Sequence, residues 1–128
     1  MNIKLNKIFP RLFIFVLLYL SVVSFAAAQG GPEVSKVEPP SWWTGSTLNP
    51  VRVMVRGRNL TGARVEAVGA GLRTGLTRVN AAGTYLFVDV VIDPQAAPGP
   101  RRLRINTAAG AGEARFEILP SLARTGRF

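Results

Sequence analysis

The chain predicts an all-β fold, an antiparallel sandwich of about seven short strands behind an export signal. Three observations carry this. Apolar and polar residues alternate with a period of two in segment after segment, which places one set of side chains on one face of a strand. Glycine, proline and asparagine clusters punctuate these segments at short intervals. No stretch after residue 28 sustains a helical period.

The N-terminus reads as a signal peptide over residues 1–28. Lys4, Lys7 and Arg11 form a positive leader, and an apolar run follows from Leu12 to Phe25. Ala26 and Ala28 then occupy the −3 and −1 positions of a small-residue cleavage site, with Gln29 next. The rival reading is an uncleaved membrane anchor. A spanning helix needs about 20 apolar residues, and this run is shorter and carries Ser21 and Ser24. Export to the periplasm or the extracellular space after cleavage near Ala28–Gln29 is therefore the expectation. No cysteine is present to be acylated or to form a disulfide, so the core must hold by packing.

Cleavage leaves about 100 residues, the size of one small domain. Residues 29–119 form that domain and residues 120–128 read as a linker. Removing Lys4, Lys7 and Arg11 lowers the formal charge of +9 to about +6. A basic surface attracts nucleic acid, yet no recognition helix or RNA-binding motif is visible, and nucleic acid is not an expected partner.

The strands follow in order. Val34 to Glu38 is an edge strand. Pro39 and Pro40 each fix φ and remove a donor, and they bias the preceding residues towards extended backbone. The segment after them is thus a stiff extended lead-in, neither helix nor central strand. It presents Trp42 and Trp43 beside Gly45. Val51, Val53 and Val55 alternate with Arg52, Met54 and Arg56, and Gly57-Arg58-Asn59-Leu60 breaks the run. Arg64 to Val68 is short, with Val65 inward; Leu72 to Val79 is weaker, amid Gly69, Gly71 and Gly75.

Asn80-Ala81-Ala82-Gly83 signals a turn before the strand Thr84 to Ile92. There Leu86, Val88, Val90 and Ile92 share one face, and Phe87 and Val91 lie opposite, which predicts cover on both sides over part of its length. Asp93-Pro94 ends it and Pro98-Gly99-Pro100 makes the next bend. Leu103 and Ile105 alternate with Arg102 and Arg104. After the Ala109–Gly112 turn, Phe116 and Ile118 alternate with Arg115 and Glu117. The arginines at 52, 56, 102, 104 and 115 read as one solvated outer face, with an interdomain or dimer contact as the alternative.

The chemistry available is limited. Histidine is absent, which removes the usual base near neutral pH. The carboxylates are Glu33, Glu38, Glu66, Asp89, Asp93, Glu113 and Glu117. Glycoside hydrolysis needs two such groups across a cleft, about 5 to 9 Å apart. Here Asp89 lies opposite the inward set of its strand, Asp93 belongs to a turn, and Glu113 and Glu117 sit at exposed positions. No nucleophilic triad, metal-ligand cluster or phosphate-cradling loop is present, so no catalytic, metal or cofactor residue is assigned.

The run Val37-Glu-Pro-Pro-Ser-Trp-Trp-Thr-Gly45 resembles the start of the N-terminal domain of secreted cyclomaltodextrinases and related α-amylase-family enzymes. A second likeness covers the strands. Gly57-Arg58-Asn59-Leu60, and the stretch from Pro98-Gly99 to Phe116, are similar to the IPT/TIG type of sandwich. Both resemblances imply an Ig-like antiparallel β-sandwich. In the resembled enzymes catalysis belongs to an α-amylase-type barrel that follows this module, and none of its motifs can be matched here. The resemblance implies a non-catalytic accessory module that helps form the dimer and shape the active-site entrance. Its partners would be the catalytic domain or a second copy, with maltooligosaccharide bound weakly. The alternatives are a stand-alone exported IPT/TIG-type adhesion or envelope protein, and a carbohydrate-binding module.

Pro39, Pro40, Trp42, Trp43 and Gly45 form the candidate contact surface. One reading has a tryptophan ring capping the open end of the core, since Trp is usually heavily buried. The other has a ring facing out, to stack on a sugar or a neighbouring domain. Adjacent residues of an extended segment point to opposite sides, so each ring can take one role.

Overall fold

The computed structural model describes residues 30–123. The signal peptide read at 1–28 lies outside them, as do residues 124–128 of the linker. Eight strands run in order: β1 (Glu33–Glu38), β2 (Ser41–Trp43), β3 (Val51–Arg58), β4 (Arg64–Val68), β5 (Leu72–Val79), β6 (Tyr85–Ile92), β7 (Gly99–Thr107) and β8 (Gly110–Leu119). They make two four-stranded sheets, ordered β1-β3-β6-β5 and β2-β8-β7-β4. Strands β1, β3, β6 and β5 correspond to the ABED sheet of an immunoglobulin sandwich, and β4, β7 and β8 to its CFG sheet.

The alternation read from the sequence builds the core. Opposite residues of an antiparallel pair share a face, and the register pairs Val51 with Val90, Val53 with Val88 and Val55 with Leu86. All six are at most 3% exposed. The second sheet answers with Val65, Leu103, Ile105, Ala114, Phe116 and Ile118, all buried. Each large apolar side chain so enclosed stabilises the fold by about 1.5–3 kcal/mol relative to exposure.

The expected sandwich of about seven strands is present, with eight, and three details differ. The strand beyond the seven expected, β2, runs parallel to β8, pairing Ser41 with Glu117, Trp42 with Ile118 and Trp43 with Leu119. So the sandwich is antiparallel apart from this edge. Nor does Gly57 break β3, which continues to Arg58. A Cβ on Gly57 would collide with the Glu33 carbonyl; the glycine admits the close approach of β1 at the bulge between Val34 and Lys36. The strand ends instead at Asn59, whose φ is 58°. Asparagine tolerates that left-handed conformation better than most residues.

Finally, β6 is not covered on both sides at Phe87, which is 39% exposed. Its inward set is enclosed by the second sheet, and no described element crosses the outer face at that position.

The start of β3 is held by a side chain that acts as backbone. Pro50 has no N–H to donate. At the next ladder position the Asn49 amide donates from Nδ2 to the Ile92 carbonyl at 2.8 Å and accepts from the Ile92 N–H at 3.0 Å. The β3–β6 ladder is thereby continued by one pair without a second strand residue.

Candidate functional site

The two prolines mark the point where the chain changes sheets. β1 is the edge of one sheet and β2 the edge of the other. Between them only Pro39 and Pro40 intervene. A segment that must leave one ladder and join another cannot donate at the crossing, and proline carries no donor to strand. The ladder resumes at once, with Glu117 N–H donating to the Pro40 carbonyl at 2.9 Å. Thr44 N–H donates to the Leu119 carbonyl at 3.0 Å and closes the far end of β2.

This pairing fixes the two rings. Trp42 sits opposite Ile118, which is buried, and shares its inward side. Its ring packs against the core, and Nε1 donates to the Leu48 carbonyl at 3.1 Å. Trp43 sits opposite Leu119 on the other side of β2. Its ring lines a surface recess with Thr44, Ser46, Thr47, Ser121 and Leu122. Both rings are half-buried. At the sheet edge their centroids come to 5.2 Å with a 59° tilt, within the favourable range for tilted aromatic pairs.

The other candidates sit close by. Pro39 is half-buried and Pro40 exposed. Gly45 has φ +71°, a conformation in which a side chain is strained, and a Cβ there would touch Ser121 Oγ at 3.4 Å. So the turn after Trp43 is laid against Pro120–Leu122, the stretch where the polypeptide leaves β8. All five candidate residues thus lie at one end and edge of the sandwich, with Trp43 and Gly45 nearest that exit.

A second depression lies on the other side of the segment, lined by Pro39, Trp42, Leu48, Pro50, Arg52 and Asp89. Arg52 and Asp89 face each other across β3 and β6 and form a fork: Nε to Oδ1 at 2.8 Å and Nη2 to Oδ2 at 3.2 Å. The hydrogen bond from Arg52 holds the Asp89 carboxyl below its ordinary range against the opposing effect of desolvation, and the charges of Arg52 and Arg78 add to it. The same bond, joined by the attraction of Asp89, raises Arg52. Asp89 is therefore a charged, paired group, unsuited to proton transfer near neutral pH.

The remaining carboxylates do not converge on a cleft. Glu33 pairs with Arg58 at 2.6 Å, Glu38 with Lys36 at 2.5 Å and Glu113 with Arg102 at 3.4 Å. The arginines read as one outer face divide between two. Arg52 and Arg56 lie on the outside of the β1-β3-β6-β5 sheet, and Arg102, Arg104 and Arg115 on the outside of the other.

Reading the sequence alone missed Leu48 and Leu76, which are 58% and 54% exposed. Leu76 sits at a bulge in β5, where the register slips between Thr74 and Thr77. The adjacent Gly75 was the available signal, since glycine inside a strand often marks a bulge.

No curated protein matches the chain. A family model described as the N-terminal domain of cyclomaltodextrinase matches residues 36–120, from the middle of β1 to just past β8. This domain is a non-catalytic part of those enzymes, which agrees with a sandwich whose carboxylates are paired or dispersed. By its fold and by that match, the chain belongs to the cyclomaltodextrinase N-terminal domain family.

Proposed function

We propose that the protein is the accessory module of an exported glycoside hydrolase that degrades cyclodextrins or related α-glucans, and that it works by contact with an α-amylase-type catalytic domain. The observation that carries this reading is the position of Trp43 and Gly45 against Ser121 and Leu122, where the chain leaves the last strand. In an enzyme whose catalytic domain follows the module, that domain emerges beside Trp43. A short connection of this kind gives a high effective concentration, so a modest contact suffices. The prolines and the β2–β8 pairing hold the segment rigid, so little ordering entropy is lost when it docks. Tryptophan is among the residues that carry most binding energy at protein interfaces.

Sugar is the secondary ligand. Stacking needs a free ring face, and selectivity for hydroxyls needs free polar groups. Here Trp42 Nε1 is committed to Leu48, Ser46 Oγ accepts from Leu48 N–H at 3.2 Å, and Thr44 is buried. Few polar groups remain for a maltooligosaccharide.

The test is calorimetric titration of the protein into the catalytic domain of a cyclomaltodextrinase prepared without its own N-terminal module, with cyclodextrin hydrolysis followed in parallel. Saturable heat and a changed rate are expected. Absence of binding, with an unrelated gene beside this one, would instead support a stand-alone envelope protein. Tight calorimetric binding of maltoheptaose would support a carbohydrate-binding module.

A further inference from the structure

The outer face of the β1-β3-β6-β5 sheet has an unusual charge balance. Register places Met54, Phe87 and Arg78 side by side across β3, β6 and β5. Phe87 and the bulge residue Leu76 are among the exposed large hydrophobics, and with Arg52 and Arg78 they line a shallow apolar depression. Three carboxylates share this face, and each is already engaged: Glu33 by Arg58, Glu38 by Lys36, Asp89 by Arg52. Arg56, Arg73 and Arg78 have no ion-pair partner among the described residues, although Arg78 lies near enough to lower the Asp89 pKa. The result is an apolar centre with three arginines of uncompensated charge around it.

Arg52 joins this face to the tryptophan segment, because it lines both the depression at Phe87 and the one at Trp42. We infer that the docking surface is not confined to the Trp43 recess: it wraps the segment past Trp42 and crosses the Arg52–Asp89 pair onto this sheet. There it receives an acidic, apolar-centred surface of the catalytic domain; this rests on the accessory-module reading above. Charge complementarity selects the occupant. A second copy docked face to face would bring the same three arginines together, and like charges opposed across an interface are unfavourable. An anionic membrane also offers negative charge. But the uncompensated cations are all arginine, the residue enriched at protein interfaces where lysine is depleted. The apolar centre is set on hydrogen-bonded strands of the sheet and not on a loop.

The experiment uses the same cyclomaltodextrinase catalytic domain as probe, titrated with the wild-type protein and three variants. These are the triple variant R56E/R73E/R78E, Leu76→Ser and Trp43→Ala, each first shown to be folded by its CD spectrum. All changed side chains except Trp43 are exposed, so the fold is expected to persist. Loss of at least about tenfold in affinity is expected for the triple variant, together with a flatter salt dependence and a smaller loss for Leu76→Ser. If Trp43→Ala weakens binding and both sheet variants bind as wild type, the sheet face is no part of the contact and the inference fails while the accessory reading stands. If the wild-type protein does not bind the catalytic domain at all, the accessory reading fails and this inference with it. Vesicles of phosphatidylglycerol provide the other arm. Capture by them that the triple variant abolishes, with its binding to the catalytic domain intact, would reassign the face to the membrane and overturn the proposal.

Discussion

Replacing the two tryptophans one at a time separates their roles by stability before any partner is added. A fully buried Trp changed to Ala costs about 3–5 kcal/mol. Trp42 is half-buried and packs against the core, so roughly half of that, about 2 kcal/mol, is at stake. Its hydrogen bond to the Leu48 carbonyl adds about 0.5–1 kcal/mol, since Leu48 is exposed and water can replace the donor. The sum is about 2–3 kcal/mol, which for a domain of this size lowers the midpoint by roughly 10–20 °C. Trp43 is also half-buried, but it faces away from the core and lines the recess at Ser121 and Leu122. The tilted pair, about 0.5–1.5 kcal/mol, is lost in either variant, so Trp42→Ala should cost more by its core packing and its hydrogen bond to Leu48. Thermal unfolding followed by CD, with urea titration for the free energies, measures both. A Trp43→Ala loss equal to or larger than that of Trp42→Ala would refute the assignment of inward and outward rings. Unfolding of both variants would make the pair simply core.

Other outcomes follow from single contacts. Gly57→Ala puts a methyl group into the Glu33 carbonyl, so β1 should detach from β3; faster amide exchange at Lys36 to Glu38, with the rest of the sandwich unchanged, is the expected readout. Asn49→Ala leaves the Ile92 N–H and carbonyl without partners, and should cost about 1–3 kcal/mol by urea unfolding. The Asp89 pKa is lowered on folding, so its contribution to stability is present above the unfolded value and is lost as pH falls through the folded one. The stability gap between wild type and Asp89→Asn should therefore be steady near neutral pH and close below about pH 4; a gap that widens on acidification would contradict the sign. Purified protein incubated with cyclodextrin, pullulan and starch should release no reducing sugar, because the described carboxylates do not converge.

Much of the sandwich was legible because a period of two is a local signal. Val51 to Val55, Leu86 to Ile92, Leu103 to Ile105 and Phe116 to Ile118 need no partner to declare which side is inward. What escaped depended on distant pairing. Ser41 to Trp43 is three residues long, all half-buried, and becomes a strand only because residues 117–119 lie beside it. Cover over Phe87 is a property of layers: the alternation of β6 marks its inward side, but nothing in it says whether another element crosses the outer one. The arginines split into two groups because β3 and β7 belong to different sheets. The proline pair reads as a stiff lead-in from the sequence, but its place, where the chain passes from one ladder to another, appears only with the topology. The Trp42–Trp43 segment was visible as a candidate surface from its composition. Its extension through Arg52 to Phe87 and Leu76 was not, since it rests on register and on one bulge.

Hydrogen–deuterium exchange of the protein, alone and saturated with a cyclomaltodextrinase catalytic domain, tests the docking account most directly. The loop Gly45–Leu48 after Trp43 and the β5 bulge at Gly75–Leu76 carry exposed residues outside the regular ladders. Slowed exchange at both on adding the catalytic domain is the predicted result. Protection confined to the outer face of the opposite sheet, around Arg102, Arg104 and Arg115, or no protection anywhere at saturation, would contradict it.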